Sequence, residues 1–240
     1  MSARPKVWIT RAEPGASASA ARIAALGFEP LVAPVLTIRT LDTPIDLTDV
    51  DTLAFTSANG VRAFASASPR RDLAVFAVGD TTAEAARRAG FAEVTSADDD
   101  VAGLGRLIVA RRPGGVVLLP GPVERAGDLT GALTRQGLNA RKLDLYRSEA
   151  VQNLPAHAAA ALDRRSLAAI LIHSPRAAAT VAGLLTHFDI SGVAVIGLSS
   201  ACLAPLESLL VGAAISAAAP REDALLTALL AALGNGAAPR

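Results

Sequence analysis

Short apolar runs alternate along the whole chain with Ala- and Arg-rich stretches of helical length. This is the pattern of an α/β fold, in which strands and helices take turns. Val7–Thr10 reads as a strand, followed by a loop over residues 11–15 and a helix over 16–26 that stops at Gly27. Leu31–Ile38 is extended, but Pro30 and Pro34 cannot donate ladder hydrogen bonds, so it is expected at an edge or as a connector. Thr52–Phe55 and Ala74–Val78 are the next strands. The first leads through Thr56-Ser57-Ala58-Asn59-Gly60 and the second through Gly79-Asp80-Thr81-Thr82 into helices.

The order then recurs. Val116–Leu119 leads through the loop Pro120-Gly121-Pro122 to a helix ending near Gly137, and Leu143–Val151 is extended. Ala169–Ile172 leads through His173-Ser174-Pro175-Arg176 to a helix. Val193–Ile196 leads through Gly197-Leu198-Ser199-Ser200 to another. Ala213–Ala217 precedes the final helix, and the tail from Gly234 to Arg240 is expected to fray. Four stretches correspond at a spacing of about 110–120 residues, too long for a solenoid repeat. Ile9-Thr10-Arg11 matches Leu119-Pro120-Gly121, and Ala54-Phe55-Thr56-Ser57 matches Leu171-Ile172-His173-Ser174. Val78-Gly79-Asp80-Thr81-Thr82 matches Ile196-Gly197-Leu198-Ser199-Ser200, and Val94-Thr95-Ser96 matches Ile215-Ser216-Ala217. The chain thus holds two copies of one domain-sized α/β unit.

Composition narrows the class. Hydrophobic residues are 51% of the 240 and aromatics 3%, so the cores are small and aliphatic, as helices on parallel sheets require. A net charge of +1 argues against a general binder of nucleic acid or acidic membranes. Among 23 basic residues only Lys6 and Lys142 are lysine, and arginine forks suit carboxylate ligands. Cys202 is the only cysteine, so no intrachain disulfide is possible, and its apolar neighbours mark it as a core residue. No apolar run reaches transmembrane length, since Pro205, Glu207 and Gly212 interrupt the nearest one. The first residues run straight into a strand without a leader, and a cytoplasmic protein is expected.

In open parallel sheets ligands bind beyond the carboxyl ends of the strands. Thr56, Ser57, Thr82, Ser174, Ser199 and Ser200 are all expected there, at or near helix N-caps. A hydroxyl so placed satisfies orphan N–H groups. Several such helix ends also favour bound carboxylates or phosphates. The standard phosphate loops and the nucleophile elbow are absent from the sequence, and His157, His173 and His187 lack metal-ligand spacing. Asp98–Asp100 reads as a helix start. Tyr146, the only tyrosine, lies in the extended segment at the junction of the two halves. It is either an aromatic packed at an interface or a phenol that gives a proton to a leaving group.

These pieces, with Leu145-Tyr146-Arg147 and Ser174-Pro175-Arg176-Ala177, resemble the uroporphyrinogen-III synthase family over nearly the whole chain. The resemblance implies two similar flavodoxin-like α/β domains with parallel sheets, joined by a two-stranded connector, with a cleft between them. One domain would be discontinuous, residues 1–34 plus 150–240, and the other residues 40–142. Residues 35–39 and 143–149 would be the connectors. It implies a hydro-lyase of heme biosynthesis that cyclises hydroxymethylbilane, a linear tetrapyrrole with eight carboxylates. Loss of the hydroxyl, a spiro intermediate and reclosure invert the last pyrrole ring and give uroporphyrinogen III. This chemistry calls for no cofactor and no metal.

On this resemblance Tyr146 is the candidate acid. Thr56, Ser57, Thr82, Ser174, Ser199 and Ser200 are expected to hold substrate carboxylates, the last two where the family usually has threonine. Arg11 either meets a carboxylate or forms a structural salt bridge. The expected partner is the tetrapyrrole alone, without nucleic acid or membrane, and the expected state is a monomer. Two lobes on two connectors also describe a non-catalytic cytoplasmic binding or sensor protein. A nucleotide-dependent enzyme is disfavoured by the missing phosphate loops.

Overall fold

The strands form where apolar residues run nearly unbroken, because both faces of each sheet are covered by helices. The computed structural model describes residues 4–13, 15–125 and 127–234. The expectation for the tail therefore falls, over 235–240, outside the described residues. In chain order the elements are β1 (Lys6–Ile9), α1 (Gly15–Ala25), β2 (Glu29–Val32), β3 (Leu36–Thr40), β4 (Val50–Phe55), α2 (Ala58–Ala67) and β5 (Ala74–Ala77). There follow α3 (Asp80–Arg88), β6 (Val94–Ser96), α4 (Val101–Arg111), β7 (Val116–Pro122), α5 (Leu129–Arg135) and β8 (Asn139–Ala150). The last are α6 (Ala156–Asp163), β9 (Leu167–Ile172), α7 (Pro175–Leu184), β10 (Ile190–Gly197), β11 (Val211–Ser216) and α8 (Glu222–Gly234). The chain divides into residues 1–37 with 149–240, and residues 38–148.

The discontinuous unit carries a five-stranded sheet of order β11-β10-β9-β1-β2, with every pair parallel. Alternate residues face opposite layers. Trp8, Ile170, Ile172, Val193 and Val195 pack with Ala158 and Leu162 of α6 and Val181 of α7. Val7, Ile9, Ala169, Leu171 and Ile196 pack with Ile23 of α1 and Leu225 and Leu229 of α8. Trp8 is fully buried, and its indole donates to Ala33 O at 2.7 Å. Pro30 lies in β2, the edge strand, and Pro34 falls between β2 and β3 and ends the first of them.

The continuous unit carries a sheet of order β3-β8-β7-β4-β5-β6. The pairs β7–β8, β4–β7, β4–β5 and β5–β6 are parallel. Leu53, Phe55, Val75, Leu118 and Leu145 pack with Val61 and Phe64 of α2 on one face. Ala54, Phe76, Val117 and Leu119 pack with Leu104 and Ile108 of α4 and Leu133 of α5 on the other.

The two orders are one arrangement, circularly permuted. β9, β10 and β11 correspond to β4, β5 and β6, while β1 and β2 correspond to β7 and β8. The strand-helix-strand piece that ends the continuous unit therefore begins the discontinuous one. The matches of β1 to β7 and of β4 to β9 hold residue for residue. Leu198 N donates to Ile172 O at 2.8 Å as Val78 N does to Phe55 O at 3.0 Å. That equivalence shifts one expected match by two residues: Gly79 corresponds to Ser199, and Thr82 to Cys202. The match at β6 shifts by one, because Ala97 N to Ala77 O repeats Ala217 N to Gly197 O.

Two local expectations are corrected. Pro120-Gly121-Pro122 is not a loop but the end of β7, and Pro122 pairs with Tyr146 across a register shift. The stretch after Ser199 is not an α-helix but two 3-10 turns, Ser200–Cys202 and Ala204–Leu206. An α-helix there would need an N–H at Pro205 and would drive its ring into the carbonyl of Ala201.

The longer β7 also dictates Gly60. A Cβ there would stand 2.8 Å from the carbonyl oxygen of Pro120. Backbone cannot retreat as a flexible side chain can. Gly60→Ala is therefore expected to cost about 1–3 kcal/mol. Thermal and urea unfolding followed by far-UV circular dichroism measures it.

Candidate functional site

Each sheet gathers polar side chains at the carboxyl ends of its strands. In the continuous unit, Phe55 ends β4 and Thr56 and Ser57 follow. Ser57 is the N-cap of α2, and its hydroxyl accepts from Gly60 N at 3.3 Å. The same hydroxyl lies 3.2 Å from the phenol oxygen of Tyr146, on β8. The structure thus brings together two of the expected residues that lie 89 positions apart. Tyr146 is 4% exposed and packed among Leu143, Leu145 and Phe55. Burial pushes its phenol above the ordinary range, against the opposing pull of Ser57 and of the Arg125 and Arg62 charges. At neutral pH the phenol keeps its proton.

Two arginines join this group that the sequence pattern does not single out. Arg125 reaches back from the segment after β7 to the carbonyls of Leu119, at 3.0 Å, and Leu143, at 3.1 Å, and pairs with Asp144. Arg62 lies on α2, and its Nη1 is buried with no hydrogen-bond partner among the described residues. Neither belongs to a repeated motif, so pattern matching has no hold on them. Thr82 is not a cap: Gly79 is the N-cap of α3, and Thr82 is buried in the helix's first turn. Its backbone N–H donates to Gly79 O, as that of Cys202 donates to Ser199 O. Asp100 caps α4, which bears out the acidic run as a helix start.

In the discontinuous unit Ser174 is the N-cap of α7 and accepts from Ala177 N at 3.1 Å, repeating Ser57. Ser199 precedes the first 3-10 turn without a side-chain capping bond, and its hydroxyl lies 3.5 Å from the thiol of buried Cys202. Ser200 opens that turn. Arg11, beyond β1, pairs with Glu222 Oε2 at 3.2 Å. Its salt-bridge reading is therefore realised.

Glu222, the first residue of α8, is the centre of that cluster. It also accepts from Ser19 Oγ at 2.6 Å and pairs with His173 Nε2 at 3.1 Å. Burial alone would raise its carboxyl. The hydrogen bonds from His173 and Ser19 and the Arg11 charge override that and hold it down to about 2. Burial lowers His173 from its ordinary 6.5 against the pull of Glu222, and its Nδ1 is buried without a partner among the described residues. Sequence reading passes over both residues. His173 is one of three scattered histidines, and Glu222 sits 49 positions from it. Among the described residues no group of three or more His, Cys, Asp or Glu is placed to share a metal ion. No helix of theirs is long and apolar enough to cross a membrane.

The family model described as uroporphyrinogen-III synthase HemD matches residues 17–227. The chain belongs to the uroporphyrinogen-III synthase family. Its members are lyases of heme biosynthesis, and the match favours that activity over a binding or sensor protein. The chain is similar to the solved uroporphyrinogen-III synthetase of Helicobacter pylori 26695, over 95% of this chain and 99% of that one. The TM-score is 0.66 and the identity 16%. It is also similar to a mutant uroporphyrinogen III synthase from the extremely thermophilic bacterium Thermus thermophilus, over 97% of this chain and 100% of that one. There the TM-score is 0.51 and the identity 19%. At such identities the likeness is one of fold. A comparison with curated protein sequences gives no match.

The Glu222 cluster has a measurable consequence. Its carboxyl is depressed from 4.5, so its stabilisation is complete above that pH and is lost as pH falls toward 2. His173 is depressed below 6.5, so it too favours the fold above that pH and opposes it below. Glu222→Gln is expected to lower stability by about 1–3 kcal/mol at pH 7 and to flatten the loss between pH 4.5 and 2. Urea unfolding followed by fluorescence of Trp8, the only tryptophan and a residue of this unit, reads both effects.

Proposed function

We propose that the chain acts as a uroporphyrinogen-III synthase on hydroxymethylbilane, with Tyr146 as the acid that releases the substrate hydroxyl. The observation that carries this is the phenol of the only tyrosine. It is protonated and held 3.2 Å from the hydroxyl that caps α2, at the carboxyl end of a parallel sheet. A group that keeps its proton at neutral pH has one to give, and the Arg125 and Arg62 charges that act on it favour the phenolate left behind.

In this reading the phenol O–H breaks as the C–O bond of the hydroxymethyl group breaks, and water leaves. The electron pair of the pyrrole nitrogen, which keeps its proton, makes the electrophilic protonated azafulvene. The substituted carbon of the last ring attacks, and fragmentation and reclosure invert that ring. The proton lost as the final ring regains aromaticity returns to the phenolate. Thr56 and Ser57 beside the phenol, Thr82 on the neighbouring helix, and Ser174, Ser199 and Ser200 of the other unit hold carboxylates through hydroxyls and helix-end N–H groups. Arg11 has one nitrogen engaged by Glu222 and is 38% exposed at its side chain, so it can meet a carboxylate with the rest of its fork. The same proposal makes the protein a cytoplasmic monomer that uses no cofactor.

Fresh hydroxymethylbilane given to the purified protein should yield the type III isomer in excess over an enzyme-free control after oxidation. An unchanged ratio of III to I removes the synthase reading. Tyr146→Phe should lower kcat by about 10²–10⁴-fold with an unaltered circular dichroism spectrum. Unaltered kinetics would leave Tyr146 as a packing residue only.

A further inference from the structure

Tyr146 cannot act as an acid without leaving a phenolate in a site that disfavours charge, since it is 4% exposed and packed against Leu143, Leu145 and Phe55. Burying an unpaired anion is strongly unfavourable. Some group must meet that charge as it forms.

Two candidates act on the phenol, Arg125 from the segment after β7 and Arg62 from α2. Arg125 has a side chain only 13% exposed and is fixed from three sides, by the carbonyls of Leu119 in β7 and Leu143 in β8 and by the Asp144 carboxylate. Those contacts lock it to the strand that carries Tyr146. Pro122, three residues before Arg125, pairs with Tyr146 just past a register shift, and Val123 N donates to Tyr146 O at 2.9 Å. Arg62 stands on α2, the helix whose cap holds the phenol, and carries a buried Nη1 with no partner among the described residues. A guanidinium nitrogen buried without an acceptor is unfavourable, because its lost hydration is not replaced. Such a nitrogen is open to an acceptor that forms at the site.

We infer that Arg62 and Arg125 form a cationic cradle for the Tyr146 phenolate, acting as positioning residues that hold the charge produced when the phenol gives its proton to the leaving hydroxyl. The inference rests on the reading of Tyr146 as the acid. Both charges act on the phenol, and Tyr146 in turn acts on Arg62. The remaining groups around it are consistent with the role. Ser57 can donate to the phenolate from α2, Asp144 on β8 offsets part of the Arg125 charge, and Arg88 on α3 adds a further positive charge that acts on Arg62. The proton balance closes, since the proton passed to the departing oxygen is replaced by the one released when the last ring is restored.

The single tyrosine makes the test direct. Global replacement with a fluorinated tyrosine labels this site alone, and its ionisation can be followed by 19F resonance across a pH titration without any turnover. Removing one positive charge, in Arg62→Gln or Arg125→Gln, should raise the midpoint by about one unit. That corresponds to about a tenfold loss of phenolate stabilisation. Arg125→Lys should recover part of the shift, because it keeps the charge and loses the fork. With native tyrosine and hydroxymethylbilane, kcat should fall several-fold in Arg62→Gln while KM changes little. Arg125→Gln breaks the clasp between β7 and β8, so Arg62→Gln, which breaks no hydrogen bond of Nη1, carries the test if that variant misfolds.

An unmoved midpoint in folded Arg62→Gln overturns the cradle. So does a rise in KM with kcat and midpoint unchanged, which would make Arg62 a carboxylate contact. A midpoint that rises while Tyr146→Phe keeps full activity upholds the cradle's electrostatics and removes the acid reading instead.

Discussion

The discontinuous unit depends on one pairing, that of β1 with β9. Thr10 and Leu171, 161 positions apart, are joined by a hydroxyl-to-carbonyl bond of 2.7 Å. The strand before it carries fully buried Val7, Trp8 and Ile9. Without β1 between β2 and β9 the sheet has no centre and neither face of the core closes. The same pairing sets Arg11, beyond β1, and His173, beyond β9, within reach of one carboxylate. Ligands of parallel sheets gather at such a boundary, where one chain leaves toward one edge and its neighbour toward the other. Here Glu222 from α8 occupies it.

Circular permutation explains why the two units are alike in layers and unlike in how they must fold. In the continuous unit every paired strand comes from residues 38–148, apart from the ends of β3 and β8, and β7 finds β4 within that span. In the other, β1 must wait for β9, with the whole continuous unit between them in the chain. Loop closure grows only slowly with length, so the native state tolerates the detour. The rate at which distant strands meet suffers more than the stability they reach. The β1–β9 contacts are therefore expected late in folding and β4–β7 early.

Much of this is legible in the sequence because the repeat is carried by residues with strict local roles. Ser57 and Ser174 cap equivalent helices, and the apolar runs before them are equivalent strands, so their match survives in the capping bonds themselves. The match after β5 and β10 slips by two residues for a physical reason. A strand has a period of two, so a two-residue slip keeps every side chain on its own face. Strands buried on both faces carry little alternation to resist even a one-residue slip. Only the hydrogen bonds that end the strands fix the register, and they assign Thr82 to the place of Cys202. Pro205 is visible in the sequence as a bar to a transmembrane run, yet it bars the helix after Ser199 more directly, by the N–H it lacks.

The residues that sequence reading misses are those whose meaning lies in a partner far along the chain. Glu222 is an ordinary helix-start acid until Arg11, Ser19 and His173 converge on it. Arg125 is one arginine among many until it spans two strands. Their contrast is informative. In the discontinuous unit a built-in carboxylate, Glu222, engages Ser19, His173 and one nitrogen of Arg11, so part of the positive charge there is already answered. In the continuous unit the corresponding end holds a phenol and two guanidinium groups, and Asp144 is paired with one of these. One end carries its own carboxylate in the free protein, and the other leaves a buried guanidinium nitrogen of Arg62 without an acceptor among the described residues. The proposed reaction, with its transient phenolate and polycarboxylate substrate, draws on the second kind of site, and both sheet ends come from one repeated plan.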